Sequence, residues 1–222
     1  MGYQIAIDGP AGAGKSSVAK LVAKHKGYIY VDTGAMYRAM ALYLLREGIK
    51  ADDAPAVAAA CTRAAVSIRH EGAEQIVLLN GERVNEFLRS EDVGQMASVS
   101  SANPAVRAHL LTLQQKLAAE NDVVMDGRDI GTCILPNAPL KIYLTASSKE
   151  RARRRHLELS EKGIKCDLGE IEQDIIKRDH QDMTREHAPL KQAADAHLVD
   201  SSDMTMEAVV ARIIGLCDNW PG

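Results

Sequence analysis

The chain has 222 residues, room for one ordinary domain with an insertion or for two small domains. Hydrophobic residues make up 46% and charged residues 26%, which excludes a disordered, collagen-like or disulfide-stapled protein. With 27 basic against 30 acidic side chains the net charge is -3, so no generally basic surface awaits a nucleic acid polymer and any phosphate site must be local.

In chain order, Tyr3-Gln4-Ile5-Ala6-Ile7 reads as a strand ending at Asp8-Gly9-Pro10, and a glycine-rich stretch leads into a helix from Ser17. A second strand, Tyr28 to Val31, stops at Asp32-Thr33-Gly34, after which Met36, Met40, Tyr43 and Leu44 recur at helical spacing. Residues 52–64 are alanine-rich and helical in pattern. The period then drops to two at Val66-Ser67-Ile68-Arg69 and Gln75 to Leu79, with the hairpin signal Asn80-Gly81 ahead of Glu82-Arg83-Val84. Asn103-Pro104 caps a helix striped by Val106, Leu110, Leu113 and Leu117 and ending near Glu120. Two apolar runs, Val123 to Met125 and Leu140 to Leu144, are the next strands of the alternating chain. Ser147 and Glu150 form a capping box for an arginine-rich helix. Beyond it come a loop from Gly163 to Gly169, a helix over about 170–182, a strand from His197 to Asp200 and a last helix faced by Val209, Val210, Ile213, Ile214 and Cys217.

This order predicts an α/β fold: a parallel sheet flanked by helices, interrupted by a small antiparallel insertion. The expected division is a core of about 1–64, 91–147 and 186–222, an insertion of about 65–90, and a helical lid of about 148–185. The cysteines at 61, 133, 166 and 217 lack any metal or redox spacing, so buried free thiols are expected. No run of about 18 apolar residues occurs and the amino terminus lacks a basic-then-apolar pattern, so a cytoplasmic protein without membrane association is expected.

Gly9-Pro10-Ala11-Gly12-Ala13-Gly14-Lys15-Ser16 matches GxxxxGK[ST] in full, between a predicted strand and a predicted helix, with Ser17 next in line. Such a loop points successive N–H groups, and the positive end of the following helix, at phosphate oxygens. Lys15 would bridge the outer phosphates of a nucleoside triphosphate and Ser16 would give one oxygen to Mg2+. Asp126 closes an apolar strand as an acid holding that ion through water would, although a structural turn role is open too. A phosphate loop alone fits switches, motors and kinases equally. A kinase joining two polyanions needs further fixed positive charge, and Arg38 and Arg128 follow strand ends while Arg178 and Arg185 flank the end of a late helix.

Asp32-Thr33-Gly34-Ala35-Met36-Tyr37-Arg38, Asp126-Gly127-Arg128-Asp129-Ile130-Gly131-Thr132 and Arg178-Asp179-His180-Gln181-Asp182 with Arg185 resemble signature stretches of bacterial cytidylate kinases. The resemblance extends over nearly the whole chain, including the insertion and Ala188-Pro189-Leu190. It implies a monomeric P-loop nucleoside monophosphate kinase whose small-molecule substrates are ATP and CMP or dCMP, with Mg2+, and an insertion that binds the monophosphate. The acceptor phosphate would then be held by Arg38, Arg128 and Arg185, the cytosine read by Ser98, Arg107 and Asp129, and the ribose held by Asp182 with Arg178. Thr33 belongs to the same implied CMP site, and Lys15, Arg128, Arg154 and Arg185 to the catalytic set. Arg151 and Arg154, from the cluster at 151, 153, 154 and 155, are expected to reach the transferring phosphoryl group. A carboxylate suits the cytosine amine, and arginine and serine suit its carbonyl and ring nitrogen. Taken without the resemblance, Asp129 and Ser98 could equally be turn or helix caps. The rival readings are a small-metabolite kinase of the shikimate or gluconate type, which would not need Ser98, Arg107 and Asp129, and a GTP-driven switch, for which the NKxD guanine signature is missing.

Overall fold

The computed structural model describes residues 2–72 and 74–218; Met1, Ala73 and residues 219–222, which fall within the expected core and insertion, lie outside the described residues. The elements in chain order are β1 (Gln4–Asp8), α1 (Lys15–Lys26), β2 (Ile29–Asp32), α2 (Thr33–Arg46), α3 (Ala54–Cys61), β3 (Val66–Glu71), β4 (Glu74–Leu79), β5 (Glu82–Arg83), α4 (Glu91–Ser100) and α5 (Pro104–Glu120). They continue with β6 (Val123–Gly127), a π-helical turn (Ile130–Ile134), β7 (Leu140–Thr145), α6 (Ser148–Glu161), α7 (Leu168–Thr184), β8 (His197–Asp200) and α8 (Met206–Asp218). Two compact units result, one of Met1–Gly2 with Gly27–Val123 and one of Tyr3–Lys26 with Val124–Gly222.

In the second unit β6, β1, β7 and β8 lie side by side in that order. β1 runs parallel to β7 with Ile5 opposite Leu140 and Ile7 opposite Ile142, and β7 runs parallel to β8 with Leu144 opposite Val199. Parallel strands covered on both faces read as continuous apolar runs, and Ile5, Ile7, Met125, Leu140, Ile142 and Leu144 are accordingly buried, each exposed by 2% or less. Burying each such side chain is worth about 1.5–3 kcal/mol, which makes these strand centres the rigid base on which the loops at their carboxyl ends rest. α1 packs on α8 and on β1, and α6 packs on α7.

The first unit is built on α2, whose Met36, Met40 and Leu44 are wholly buried and which packs on α3, α4, α5 and the small sheet. That sheet is antiparallel in the order β3-β4-β5, with Val66 opposite Leu79 and Leu78 opposite Arg83. Its second turn is the expected one: Asn80 and Gly81 both adopt positive φ, 50° and 86°, and the Asn80 side chain accepts the Ala65 N–H at 2.7 Å. β5 is short because Asn85 takes over its pairing, accepting from Val77 N and donating to Gln75 O at 2.8 Å each.

Predicted and observed elements agree to within a few residues, with two additions. α4 is not signalled, since Glu91 to Ser100 mixes glycine, serine and valine, yet Val93, Ala97 and Ser100 are buried along it. The π-helical turn after β6 has no sequence signature at all. The thiols divide: Cys61 and Cys217 are buried as expected, whereas Cys133 is exposed and Cys166 half-exposed, Cys133 because it lies on the outer side of the π-helical turn. Among the described residues no helix is long and apolar enough to cross a membrane.

Candidate functional site

The loop between β1 and α1 curls because three of its glycines adopt positive φ, Gly9 at 149°, Gly12 at 76° and Gly14 at 88°. At Gly9 a Cβ would run into the Leu144 carbonyl of the neighbouring strand, so only glycine lets the chain leave β1 there. Lys15 is folded back into the loop, 6% exposed, and its Nζ donates to Pro10 O at 2.7 Å. Burial first, then the nearby Arg128 guanidinium, pushes its pKa down to about 7 against the pull of Asp126, Asp8 and Asp182. Its charged form is thus desolvated within the loop, an environment in which an incoming polyphosphate would restore the lost solvation and favour that form. Ser16 follows on the first turn of α1, and its hydroxyl donates to Asp126 Oδ2 at 2.9 Å. A hydroxyl and a carboxylate brought together beside a phosphate cradle are the oxygen donors that Mg2+ takes, so the residues fit the ion. Gly12, Ser16 and Ser17 are exposed at the mouth of the loop, while Gly9, Pro10 and Ala13 are buried beneath it, with Ala11 and Gly14 half-buried.

β6 delivers Asp126, Gly127, Arg128 and Asp129 in one stretch, and the chain then turns sharply into the π-helical turn. What fixes that turn is Asp8, at the end of β1: its two carboxylate oxygens accept the Ile130 and Gly131 N–H groups at 2.7 Å each. Asp8 is 5% exposed, and burial raises its pKa to about 6 in spite of these two bonds. Gly131 leaves room for Lys141: a Cβ there would stand 3.0 Å from Lys141 Cδ, so that side chain would have to give by a few tenths of an ångström. Reading the sequence misses Asp8; the signal was present as a lone acid inside an otherwise apolar strand end, directly before the phosphate loop.

Two ion pairs join the β6 loop to α7 and its C-terminal end. Arg128 Nε donates to Asp182 Oδ2 at 2.8 Å, and Arg185 Nη2 donates to Asp129 Oδ1 at 3.3 Å. Arg185 is further held through Nε by Ala188 O at 2.7 Å, and Ala188 takes a left-handed φ of 49° to present that carbonyl. Four residues expected at the acceptor, Arg128, Asp129, Asp182 and Arg185, are therefore gathered in this unit, while Arg178 lies exposed on α7.

The arginine-rich helix sorts its members by depth. Arg151 is 5% exposed, and its guanidinium donates to Ala146 O at 2.9 Å, to Ala11 O of the phosphate loop at 3.0 Å and to both oxygens of Asp179 at 3.0 and 2.6 Å. Arg154 donates to Glu150 at 2.9 Å, to Ser201 Oγ at 3.2 Å and to Ser201 O at 2.6 Å. Arg153 and Arg155 are exposed, pairing with Glu150 and Glu158. The Arg153 and Arg154 guanidiniums together hold the Glu150 carboxyl down to about 2. Glu150 thereby completes only half of the expected capping box, its N–H going to Ser147 Oγ at 3.2 Å and its carboxylate to the arginines. Asp179, Glu150 and Ser201 are partners that the sequence does not reveal, since each becomes one only through its neighbour in the fold.

In the other unit Thr33 is buried at the start of α2, and Arg38 one turn later donates through Nη2 to Asp32 Oδ2 at 3.1 Å. Ser98 is half-buried on α4, its carbonyl accepting the Ser101 hydroxyl at 3.0 Å. Arg107 on α5 donates to Ser101 O at 3.3 Å and sits over the Tyr37 ring, 5.6 Å from its centroid.

Comparison with known proteins identifies the family from sequence and the fold from structure. The family description "Cytidylate kinase" matches residues 5–219. Cytidylate kinases of Citrifermentans bemidjiense and Caldicellulosiruptor saccharolyticus are each 48% identical to this chain, the first over 94% of it and 90% of its own length, the second over 96% and 94%. That of Geobacillus is 45% identical over 99% of this chain and 98% of its own. Among solved structures, a shikimate kinase from Bacteroides thetaiotaomicron superposes with a TM-score of 0.51 at 13% identity, covering 97% of this chain and 98% of that one. An uncharacterized protein from Eubacterium ventriosum reaches 0.53 at 12% identity, with 98% and 99% covered. At that identity the likeness is one of fold.

Proposed function

The chain belongs to the cytidylate kinase family and is a nucleoside monophosphate kinase; we propose that it moves the γ-phosphoryl group of ATP onto CMP or dCMP with Mg2+, giving ADP and CDP or dCDP. The observation that carries this reading is the buried Lys15 in its loop, with Asp126, Arg128 and Asp182 near enough to bias its charge. Donor cradle and Arg128 thus belong to one electrostatic cluster.

In this reading the loop from Gly9 to Ser17 wraps the donor phosphates, and Lys15 neutralises charge as it moves to the acceptor. Ser16, with Asp126 through water, would hold Mg2+, which when bound adds positive charge at the donor phosphates. Arg128 and Arg185 exchange their carboxylate partners for the acceptor phosphate, and the carboxylates they release are the ones assigned to the nucleoside, Asp129 to the cytosine amine and Asp182, with Arg178, to the sugar. That exchange keeps both guanidiniums paired before and after binding, which avoids stranding a buried charge. For Thr33 in the CMP site, for Arg38 at the acceptor phosphate, and for Ser98 and Arg107 at the base, the family resemblance is the support. The acceptor oxygen is already anionic at neutral pH, so positioning and charge stabilisation suffice without a general base. Residues 148–185 would serve as the lid that excludes water, with the stretch from Lys162 to Gly169 as its flexible segment, and residues 65–90 as the monophosphate-binding insertion. Arg154, which Glu150 and Ser201 now hold, would be the lid arginine that turns toward the phosphoryl group. Both substrates are small, charged metabolites, in keeping with a monomer working in the cytoplasm.

The test is ADP release measured against a panel of CMP, dCMP, UMP, AMP and GMP. CMP and dCMP should be the best acceptors; a preference for AMP or GMP would overturn the reading. Lys15→Ala should lower turnover by roughly 10^3-fold or more with every acceptor. Asp129→Ala should cost CMP about 10^2-fold in kcat/KM while the KM for ATP barely moves, and equal losses on both substrates would refute the division of labour.

A further inference from the structure

Arg38 owes its placement to a residue that carries no phosphate chemistry of its own. Its guanidinium is oriented by Asp32, whose other oxygen, Oδ1, caps α2 by accepting the Ala35 N–H at 2.9 Å. The carboxylate works in both directions only if the Asp32 backbone is held still at the end of β2. Gln75 on β4 supplies that hold: its Oε1 accepts the Asp32 N–H at 2.9 Å, and its Nε2 donates to the Asp32 carbonyl at 3.2 Å. One side-chain amide thus pairs with the backbone of a residue 43 positions away, as a neighbouring strand would. Gln75 is itself 8% exposed, and its own carbonyl is tied to the Asn85 side chain at 2.8 Å. A second tether from the same small sheet, His70 Nε2 against Tyr30 O at 3.0 Å, lies two residues upstream of Asp32. Gly34 completes the arrangement, since a Cβ there would stand 3.1 Å from Asp32 Oδ1 and 3.3 Å from Arg38 Nη1.

The geometry points to Gln75 as a positioning residue for the acceptor: through Asp32 it sets where the Arg38 guanidinium stands, and so links the antiparallel insertion to the grip on the monophosphate. A buried glutamine in a strand is costly unless both ends of its amide are satisfied, and here both are used on one residue. The Arg38 Nε, buried and without a hydrogen-bond partner, leaves Asp32 as the charged group that orients this side chain. An arginine aimed through a single carboxylate is sensitive to any movement of that carboxylate. This inference rests on the proposal that Arg38 holds the acceptor phosphate.

The experiment is a double-mutant cycle of Gln75→Met, which keeps the volume, and Arg38→Lys, reading the KM for CMP, the KM for ATP and the melting temperature. Arg38→Lys should raise the KM for CMP about 10-fold and Gln75→Met about 5-fold, with the KM for ATP unchanged in both. The double variant should match Arg38→Lys alone, because Gln75 acts only through Arg38. A Gln75→Met protein that melts earlier but keeps its KM for CMP would overturn the link while leaving Arg38 in its role, and so would effects that multiply in full. An unchanged KM for CMP in Arg38→Lys would overturn the Arg38 assignment and this route with it. Should the methionine variant fail to fold, Gln75→Glu keeps an acceptor for the Asp32 N–H and repels its carbonyl; it is read against Arg38→Lys in the same way, with the same expected dependence.

Discussion

The two units of the molecule differ in one respect: the unit bearing the phosphate loop holds deeply buried ion pairs beside exposed ones such as Arg155–Glu158, whereas the pairs of the other unit are solvated or only half-buried. In the unit bearing the phosphate loop, the ion pairs Arg151–Asp179 and Arg185–Asp129 have side chains exposed by 6% and 13%, and by 8% and 5%. In the other unit, Arg46–Glu82, Arg69–Glu71 and Arg83–Glu74 have side chains exposed by between 38% and 60%. Distance does not separate the two sets, for Arg46 lies 2.6 Å from Glu82, as close as Arg151 to Asp179. Depth does. A desolvated pair costs the fold more than an apolar pair would, and its presence marks where the molecule needs fixed charge; a solvated pair costs and contributes little. The Asp32–Arg38 pair, exposed by 24% and 31%, is intermediate, in keeping with the ligand-holding role proposed for Arg38.

Substitutions should separate the two sets in order of size. Asp179→Ala strands the Arg151 guanidinium in the interior and should lower the unfolding free energy by about 3–5 kcal/mol in a denaturant titration. A loss no larger than that of a surface pair would mean that the Ala11 and Ala146 carbonyls alone sustain Arg151. A smaller effect is expected at Asp8, whose carboxyl binds its proton more tightly folded, at about 6, than unfolded, at 3.8. Its contribution to stability therefore grows as the pH falls from about 6 toward 4, and is absent above 7. Against Asp8→Asn, which does not titrate, the wild type should gain about 1 kcal/mol between pH 7 and pH 5; a flat difference would show that Asp8 ionises as it does in water. The smallest effect belongs to Glu82→Gln, where the melting temperature should not move measurably and the stacking of Arg46 over Phe87 should persist. A clear drop there would erase the contrast between the units.

Much of this was legible in the sequence, and the limits have a physical pattern. The phosphate loop is a contiguous motif, because each of its parts needs its neighbour in the chain, so its place between strand and helix, and Lys15 and Ser16 as its chemical candidates, could be read from spacing alone. The alternation of strand and helix and the Asn80-Gly81 turn were equally local. Ser147 as a cap could be read in the same way, but the other half of the box could not, since Arg153 and Arg154 draw the Glu150 carboxylate outward. Arg151 shows the wider limit: among four arginines in five positions, nothing local tells which one the fold will bury, and the answer lies 28 residues away in Asp179. The partners of Gln75 and Asp8 were illegible for the same reason, as both act on backbone groups distant in the chain, although Asp8 itself stood out as a lone acid at an apolar strand end.

Ala188 holds its backbone in a conformation that costs an L-residue roughly 1 kcal/mol, immediately before Pro189, which stiffens the next step of the chain. Glycine at 188 would relax that local strain, and a search for thermostabilising changes would be drawn to it. Yet the same kink aims the carbonyl on which the Arg185 guanidinium rests. If glycine's freedom let that kink unwind, a sturdier fold would come with a looser version of the phosphate grip proposed for Arg185, a trade visible only to a screen that scores catalysis beside heat tolerance.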